Sequence, residues 1–419
     1  MSHTLPNDPA QVAKIMLSWH DLDLISCTTL QTLWAGYGQI CAITARTTTA
    51  ASSNHLSKLC GVEPRAAGST YNLILKLISP PQASADEGHL RKMLSYEIEQ
   101  RFYSDVVPLL DEEVHVAKCL ASTRDLVSGS KDEEQLAGIT ATIMVDLRDT
   151  FPVMGGKRST LSSVQVHGAL NWLAGFHRCS WGLLPDSMDG YVLPPLQEHK
   201  RRECGDGVGE GLWLNGGYTY LATRMKEYAT LAQDGEDEWS FYLCHDSRNG
   251  SSLAEAVALF LTPCGRAVES YIHGDVKSEN LFTSKKEDEV AFFDFQYVGL
   301  GLGVCDLAKL FTCSVPLEML VDDVANEVPE RLDMCKGEKK LLKHYHEKLV
   351  RGQKSDFYEW KAFLRHWETA LVDWCRFQAS WGFWGNTEWL EARVKAIIHN
   401  KTWRDWLYEN IEGRELVIV

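Results

Sequence analysis

The chain of 419 residues is first informative for what it does not contain. Its twelve cysteines include no C-x-x-C pair, which removes zinc-ribbon and thioredoxin-type sites. They are scattered (Cys27, Cys60, Cys179, Cys264 and Cys375 among them), as expected of small, reduced core residues in a cytoplasmic protein. No apolar run approaches the roughly 18 residues of a membrane-spanning helix. The opening MSHTLPNDPAQ has neither a basic stretch nor an apolar run. No secretory signal is expected, and the predicted location is cytoplasmic. Positive charge is in deficit: the formal net charge is −15. Nucleic acid and anionic membranes are therefore unfavourable partners, and amine-bearing ligands are easier ones. The glycines of 205–211 are not followed by Gly-Lys-Ser/Thr, so no P-loop is present. Gly299, Gly301 and Gly303 lack the strand-and-helix setting of a dinucleotide fingerprint.

Hydrophobic patterning divides the chain near 146. Helical spacing predicts a helix from Gln11 to Leu22. A strand at Thr29–Trp34, a turn at Ala35-Gly36-Tyr37-Gly38-Gln39 and a strand at Ile40–Arg46 follow. Residues 47–69, rich in Thr, Ser and Ala, read as a loop. Tyr71–Ile78 is a strong strand with Lys76 embedded in it, and Leu90–Leu110 is helical. Two more strands are expected, near 114–120 and 139–145. Beyond them the texture is helical: Val164–Cys179, then 218–232, 251–265 and nearly everything after 305. The tract 199–217 is polar and Gly-rich, and within it Gly205–Gly211 reads as a mobile insertion. The predicted class is α+β, with lobes 1–145 and 146–419.

One segment concentrates the chemistry. His273-Gly274-Asp275-Val276-Lys277-Ser278-Glu279-Asn280 is followed fourteen residues later by Asp294-Phe295-Gln296. Between them lie two short apolar strands and the polar turn TSKKEDE, a hairpin that brings Asn280 and Asp294 together. An amide oxygen and a carboxylate suit Mg²⁺, which takes few protein ligands beside water and phosphate. Asp275 is placed to accept a proton from an alcohol, and Lys277 to offset charge on a transferred phosphoryl group. Upstream, Lys76 in an apolar strand needs a partner, because an unpaired buried ammonium is costly. Glu99 and Glu97 are the candidates, against the alternative of a lysine snorkelling to solvent.

These motifs resemble those of the aminoglycoside phosphotransferase and choline kinase-like superfamily, and most closely its ecdysteroid kinase-like members. The resemblance covers roughly residues 30–310. It implies a two-lobed protein-kinase-like fold that uses ATP and Mg²⁺, with a β-rich N-lobe carrying one key helix and a mostly helical C-lobe. It implies Asp275 as the catalytic Asp, Asn280 and Asp294 as metal ligands, and His273 as a brace for the loop. Lys76 and Glu99 become the nucleotide-phosphate pair, since Glu99-x-x-Phe102-Tyr103 resembles the family's Glu-helix. Gly36 and Gly38 lie where a nucleotide-covering loop belongs, although the turn is equally an ordinary hairpin. Val145, Asp146 and Leu147 resemble the hinge that contacts adenine. Asp306 matches an Asp that supports the catalytic loop, and Leu173–His177 with Trp181 reads as core.

Trp360, Trp367, Trp374 and Trp381 recur every seven residues, with Trp384 and Trp389 behind them. They form either a packed core face or, with Glu368 and Asp373, an acceptor pocket for a cationic or amphipathic alcohol. The expected activity is transfer of the γ-phosphoryl of ATP to a small-molecule hydroxyl. The alternative is an ATP-binding pseudokinase or regulatory scaffold. Choline-like amines, sterols, aminoglycosides and sugars all fit the motifs as acceptors.

Overall fold

The structure is a computed structural model that describes residues 8–80, 86–126, 131–185, 187–205, 207–248, 250–323 and 327–414. The chain forms two compact units, 1–109 with 116–152, and 110–115 with 153–419.

In chain order, unit 1 contains α1 (Pro9–Ser18), β1 (Leu22–Thr32), β2 (Gly38–Thr47), α2 (Ala50–Cys60), β3 (Thr70–Ile78), α3 (Glu87–Arg101), β4 (Cys119–Ser122), α4 (Lys131–Leu136) and β5 (Thr140–Val145). Its antiparallel sheet has the order β1-β2-β3-β5-β4. Strand alternation sends Tyr71, Leu73, Leu75 and Leu77 to one face. There they join Val12, Met16 and Leu17 of α1 in one buried cluster. Each such side chain contributes roughly 1.5–3 kcal/mol by leaving water. Asp8 caps α1 by accepting from the Ala10 N–H, with Pro9 in the first turn.

Two sequence expectations need correction here. The first helix ends at Ser18 rather than Leu22, because Asp21 takes a left-handed φ of 56° and turns the chain into β1. Residues 47–69 are not all loop. Thr49 and Ser52 make a reciprocal capping box that starts α2, and Gly61 ends it at φ 66°. The small residues that disguised this helix let it lie close to the sheet. Ser57 bonds the Tyr71 hydroxyl at 2.8 Å, and Ser53 donates to the Arg65 carbonyl at 2.7 Å.

Unit 2 runs β6 (Val153–Met154), α5 (Ser163–Ser180), α6 (Pro195–Cys204), α7 (Met225–Gln233), β7 (Ser247–Arg248), β8 (Ser251–Ser252), α8 (Leu253–Leu261), β9 (Ser270–Ile272), β10 (Leu281–Thr283), β11 (Val290–Phe292), β12 (Gly299–Gly301), α9 (Val304–Cys313), α10 (Lys336–Leu349), α11 (Trp360–Trp381), α12 (Thr387–Ile398) and α13 (Lys401–Glu409). Helix α11 packs against α8, α9 and α12. Trp367, fully buried, meets Phe311 of α9 at 5.0 Å between ring centres.

The tract 199–217 is helical as far as Cys204, and the buried Glu198 carboxylate bonds the backbone beyond it. The Glu198 carboxylate accepts from the Gly209 and Leu193 N–H groups at 3.0 and 3.2 Å. It also pairs with Arg201 and Arg202. Burial alone would raise its pKa, but these donors hold it below the usual carboxylate value. Asp206 of this tract lies outside the described residues.

Candidate active site

Strand β9 delivers the chain to His273, and a loop then runs to a 3-10 turn at Ser278–Asn280. Strands β10 and β11 pair Leu281 with Phe292, and the Phe293 N–H donates to the Asn280 carbonyl at 3.0 Å. Asn280 therefore lies beside the residue that precedes Asp294. Asp294 has φ 66°, a left-handed conformation uncommon for a residue with a Cβ. Gln296 donates to its Oδ1 at 2.6 Å.

The Asn280 amide N–H₂ donates to the Asp275 carbonyl at 2.9 Å and to its Oδ2 at 3.0 Å. This orientation leaves Asn280 Oδ1 as the atom a cation would use. Lys277 bridges Asp275 and Glu279, each at 3.1 Å. Burial would lower the Lys277 pKa, but the two carboxylates outweigh it and keep the ammonium charged.

Asp306, on the first turn of α9, holds the loop from behind. Its fully buried carboxylate accepts from the backbone N–H of His273 at 2.7 Å and of Gly274 at 2.9 Å. His177 Nε2 lies 3.1 Å away, and His177 Nδ1 in turn meets the Tyr345 hydroxyl at 2.6 Å. Gly303 is required here, since a Cβ would come within 2.5 Å of both His177 and Tyr345. His273 Nδ1 receives the Asp275 N–H at 3.2 Å, which leaves Nε2 to donate to the Phe293 carbonyl at 2.9 Å. Burial keeps the His273 pKa below its ordinary value, so the ring is a neutral brace.

A cavity of about 240 Å³ opens beside Asp275, Lys277 and Glu279. Its wall carries Tyr218, Trp374, Trp381 and Trp384, together with Lys309 and Arg158. The seven-residue tryptophan series thus has two fates. Trp367 donates to Glu338 at 2.9 Å in the core, and Trp360 stacks on Phe363. Trp374 and Trp381, at the other end of α11, line the cavity. Glu368 and Asp373 do not line it: they are paired with Arg365 and Arg376 on α11 itself. The buried Nε1 of Trp374 has no hydrogen-bond partner among the described residues. Lys309, Tyr218 and Arg158 escaped the sequence reading. Lys309 carried a usable signal, a lysine in the apolar run of α9, which is the signal that singled out Lys76.

In unit 1, Lys76 Nζ meets Glu99 Oε2 at 2.5 Å with both groups buried. Glu99 rather than Glu97 is thus the partner. Lys76 sits on the sheet face opposite Leu75 and Leu77, which turns it toward α3. Gly36, at φ 73°, closes the 3-10 turn Trp34–Gly36 and has open space beside it. Gly38 cannot be replaced so freely, because a Cβ there would lie 2.1 Å from the Leu77 carbonyl oxygen. Val145 ends β5. The Asp146 carboxylate is committed to Arg148 at 2.6–3.1 Å, and the Leu147 carbonyl accepts from Phe151 at 2.7 Å.

Glu99→Ala would leave the Lys76 ammonium without its carboxylate in a buried position. We expect a loss of about 3 kcal/mol in urea unfolding. The pair Lys76→Met with Glu99→Leu should recover most of that. A single variant within about 0.5 kcal/mol of the parent would contradict this account of the pair.

The family model of the ecdysteroid kinase-like family matches residues 56–355, well over half of the chain. No curated protein matches. Among solved structures, an ethanolamine kinase of Plasmodium vivax is similar at 11% identity over 92% of this chain and 84% of that one, with a TM-score of 0.38. The macrolide 2'-phosphotransferase of Brachybacterium faecium is similar at 12% identity over 97% and 99%, with a TM-score of 0.38. An amicoumacin kinase in complex with AMP-PNP and Ca²⁺ is similar at 12% identity over 91% and 88%, with a TM-score of 0.35. At these TM-scores the likenesses carry no argument about activity. Among the described residues no helix is long and apolar enough to cross a membrane.

Proposed function

Because the chain belongs to the ecdysteroid kinase-like family, we propose that it transfers the γ-phosphoryl of ATP to a hydroxyl of a small molecule. The observation that carries the reading is the Asp275 carboxylate, held by Asn280 and Lys277 at the edge of an aromatic-walled cavity. Asp275 orients the acceptor hydroxyl and accepts its proton. Lys277 places positive charge where phosphoryl charge builds up.

Asn280 Oδ1 and the Asp294 carboxylate form the hard-oxygen donor set that Mg²⁺ prefers. When bound, the metal neutralises phosphate charge. The Lys76–Glu99 pair of unit 1 is the candidate anchor for the nucleotide phosphates. The turn at Gly36 and Gly38 is assigned to cover the nucleotide, and Val145–Leu147 to contact adenine.

The family's name points to steroid alcohols. A cavity walled by Tyr218, Trp374, Trp381 and Trp384 suits the apolar body of such a molecule.

The test is ATP turnover with and without Mg²⁺ against a panel of neutral, cationic and sugar alcohols. Turnover with one acceptor class that stops when Mg²⁺ is chelated is the expected result. Mg·ATP binding with no turnover on any class would favour the pseudokinase reading. Absence of Mg·ATP binding would sink the nucleotide assignment.

A further inference from the structure

Lys309 is almost fully buried, yet it reaches the acceptor cavity. Its Nζ donates to the Gly274 carbonyl, one residue before Asp275. It also lies over the Tyr218 ring at 5.3 Å and over the Trp374 ring at 5.7 Å, both within cation–π range. The slot is cut to size: Gly217, at φ 95°, faces Nζ, and a Cβ there would come within 3.0 Å of it. Arg224 covers the neighbouring rings, at 5.5 Å from Tyr218 and 5.1 Å from Trp381. Three of the four aromatic walls of the cavity thus already hold a cation of the protein itself.

The nearby acids do not free these faces. Asp275 and Glu279 are bridged by Lys277, Asp306 is occupied by His177 and the loop N–H groups, and Asp373 is paired with Arg376.

We propose that Lys309 is the specificity-determining residue of the acceptor site, a resident cation that fills the aromatic wall and bars cationic alcohols in favour of neutral ones. The proposal rests on the reading that this cavity receives the acceptor. An incoming ammonium would find the ring faces taken. It would also meet the Lys309 ammonium, whose pKa burial lowers while Asp306 and Asp275 act to raise it, at a distance where like charges repel. A neutral alcohol needs no cation–π contact and meets no charge repulsion.

Choline and its uncharged isostere 3,3-dimethylbutan-1-ol test this, because they share shape and hydroxyl and differ in charge. Binding is read from tryptophan fluorescence in the absence of ATP, so phosphoryl transfer is not needed. The parent protein should bind the neutral alcohol at least about tenfold more tightly than choline. Lys309→Met should shrink that ratio at least about tenfold. Circular dichroism of each variant checks that it folds, and Lys309→Gln serves in place of a misfolded Lys309→Met.

Equal binding of the two alcohols by the parent, an unchanged ratio in the charge-removing variant, or binding of neither alcohol would overturn the proposal. A charge preference that disappears with Lys309 would uphold it even if no alcohol were ever phosphorylated, a result that would instead remove the phosphotransfer reading.

Discussion

Asp275→Asn is expected to lower the turnover number about a thousandfold, within the range by which a positioned proton acceptor contributes, while Mg·ATP affinity changes by less than about threefold. The substitution is nearly isosteric. The Asp275 backbone N–H still donates to His273, and its carbonyl still accepts from Asn280. Lys277 keeps Glu279 as a partner. The loop therefore retains its shape, and what disappears is the anion that takes the hydroxyl proton. Steady-state kinetics separates the two effects: kcat should fall, and the KM for ATP should stay nearly unchanged. A variant that keeps more than about a tenth of parental turnover would show that Asp275 is not the proton acceptor.

Asp306→Ala should be the most damaging change away from the cavity, with an expected loss of about 3–5 kcal/mol of stability. Its carboxylate serves two backbone N–H groups and His177 in a site with no access to water. Removal strands all three donors, and each orphaned buried donor is costly. The loop bearing Asp275 should lose its geometry as well, so turnover should fall with stability. The pH dependence follows from the same contacts. Burial alone would raise the Asp306 pKa, but the hydrogen bond from His177 and nearby positive groups lower it below 3.8. A depressed folded pKa means that the contribution is fully present above the unfolded value. It is lost as pH falls below that value and through the folded one. Urea unfolding at pH 7 and near pH 3 should therefore show a smaller gap between parent and variant at the lower pH. A gap equal at both pH values would contradict the assignment of this carboxylate as the anchor of the loop.

Much of the local chemistry could be read directly. A hydroxyl-accepting Asp, an Asn five residues on and a second Asp after a short hairpin are a local pattern, and antiparallel pairing of β10 with β11 follows from two apolar strands joined by a polar turn. Lys76 was legible because an ammonium in an apolar strand demands a partner. The choice of Glu99 over Glu97, made on the resemblance of its helix, agrees with the rotation of α3 relative to the sheet.

Helix α2 was not legible, since its Ser and Thr residues look like loop until their hydroxyls find the Arg65 carbonyl and the Tyr71 hydroxyl. The tryptophan series could not be divided into core and cavity from spacing alone, because a seven-residue period puts all four on one face and only packing against α9 and α10 distinguishes its ends. The residents of the aromatic wall were beyond reach as well. Lys309 lies far along the chain from Tyr218 and Arg224, and both are far from the tryptophans of α11, so only the packing of α7 and α9 around α11 sets two cations over rings that the sequence had left open to a ligand. Local spacing determined the catalytic pattern because hairpins and turns are short-range. The tertiary structure decided what the cavity admits, because that depends on charges brought together from distant parts of the chain.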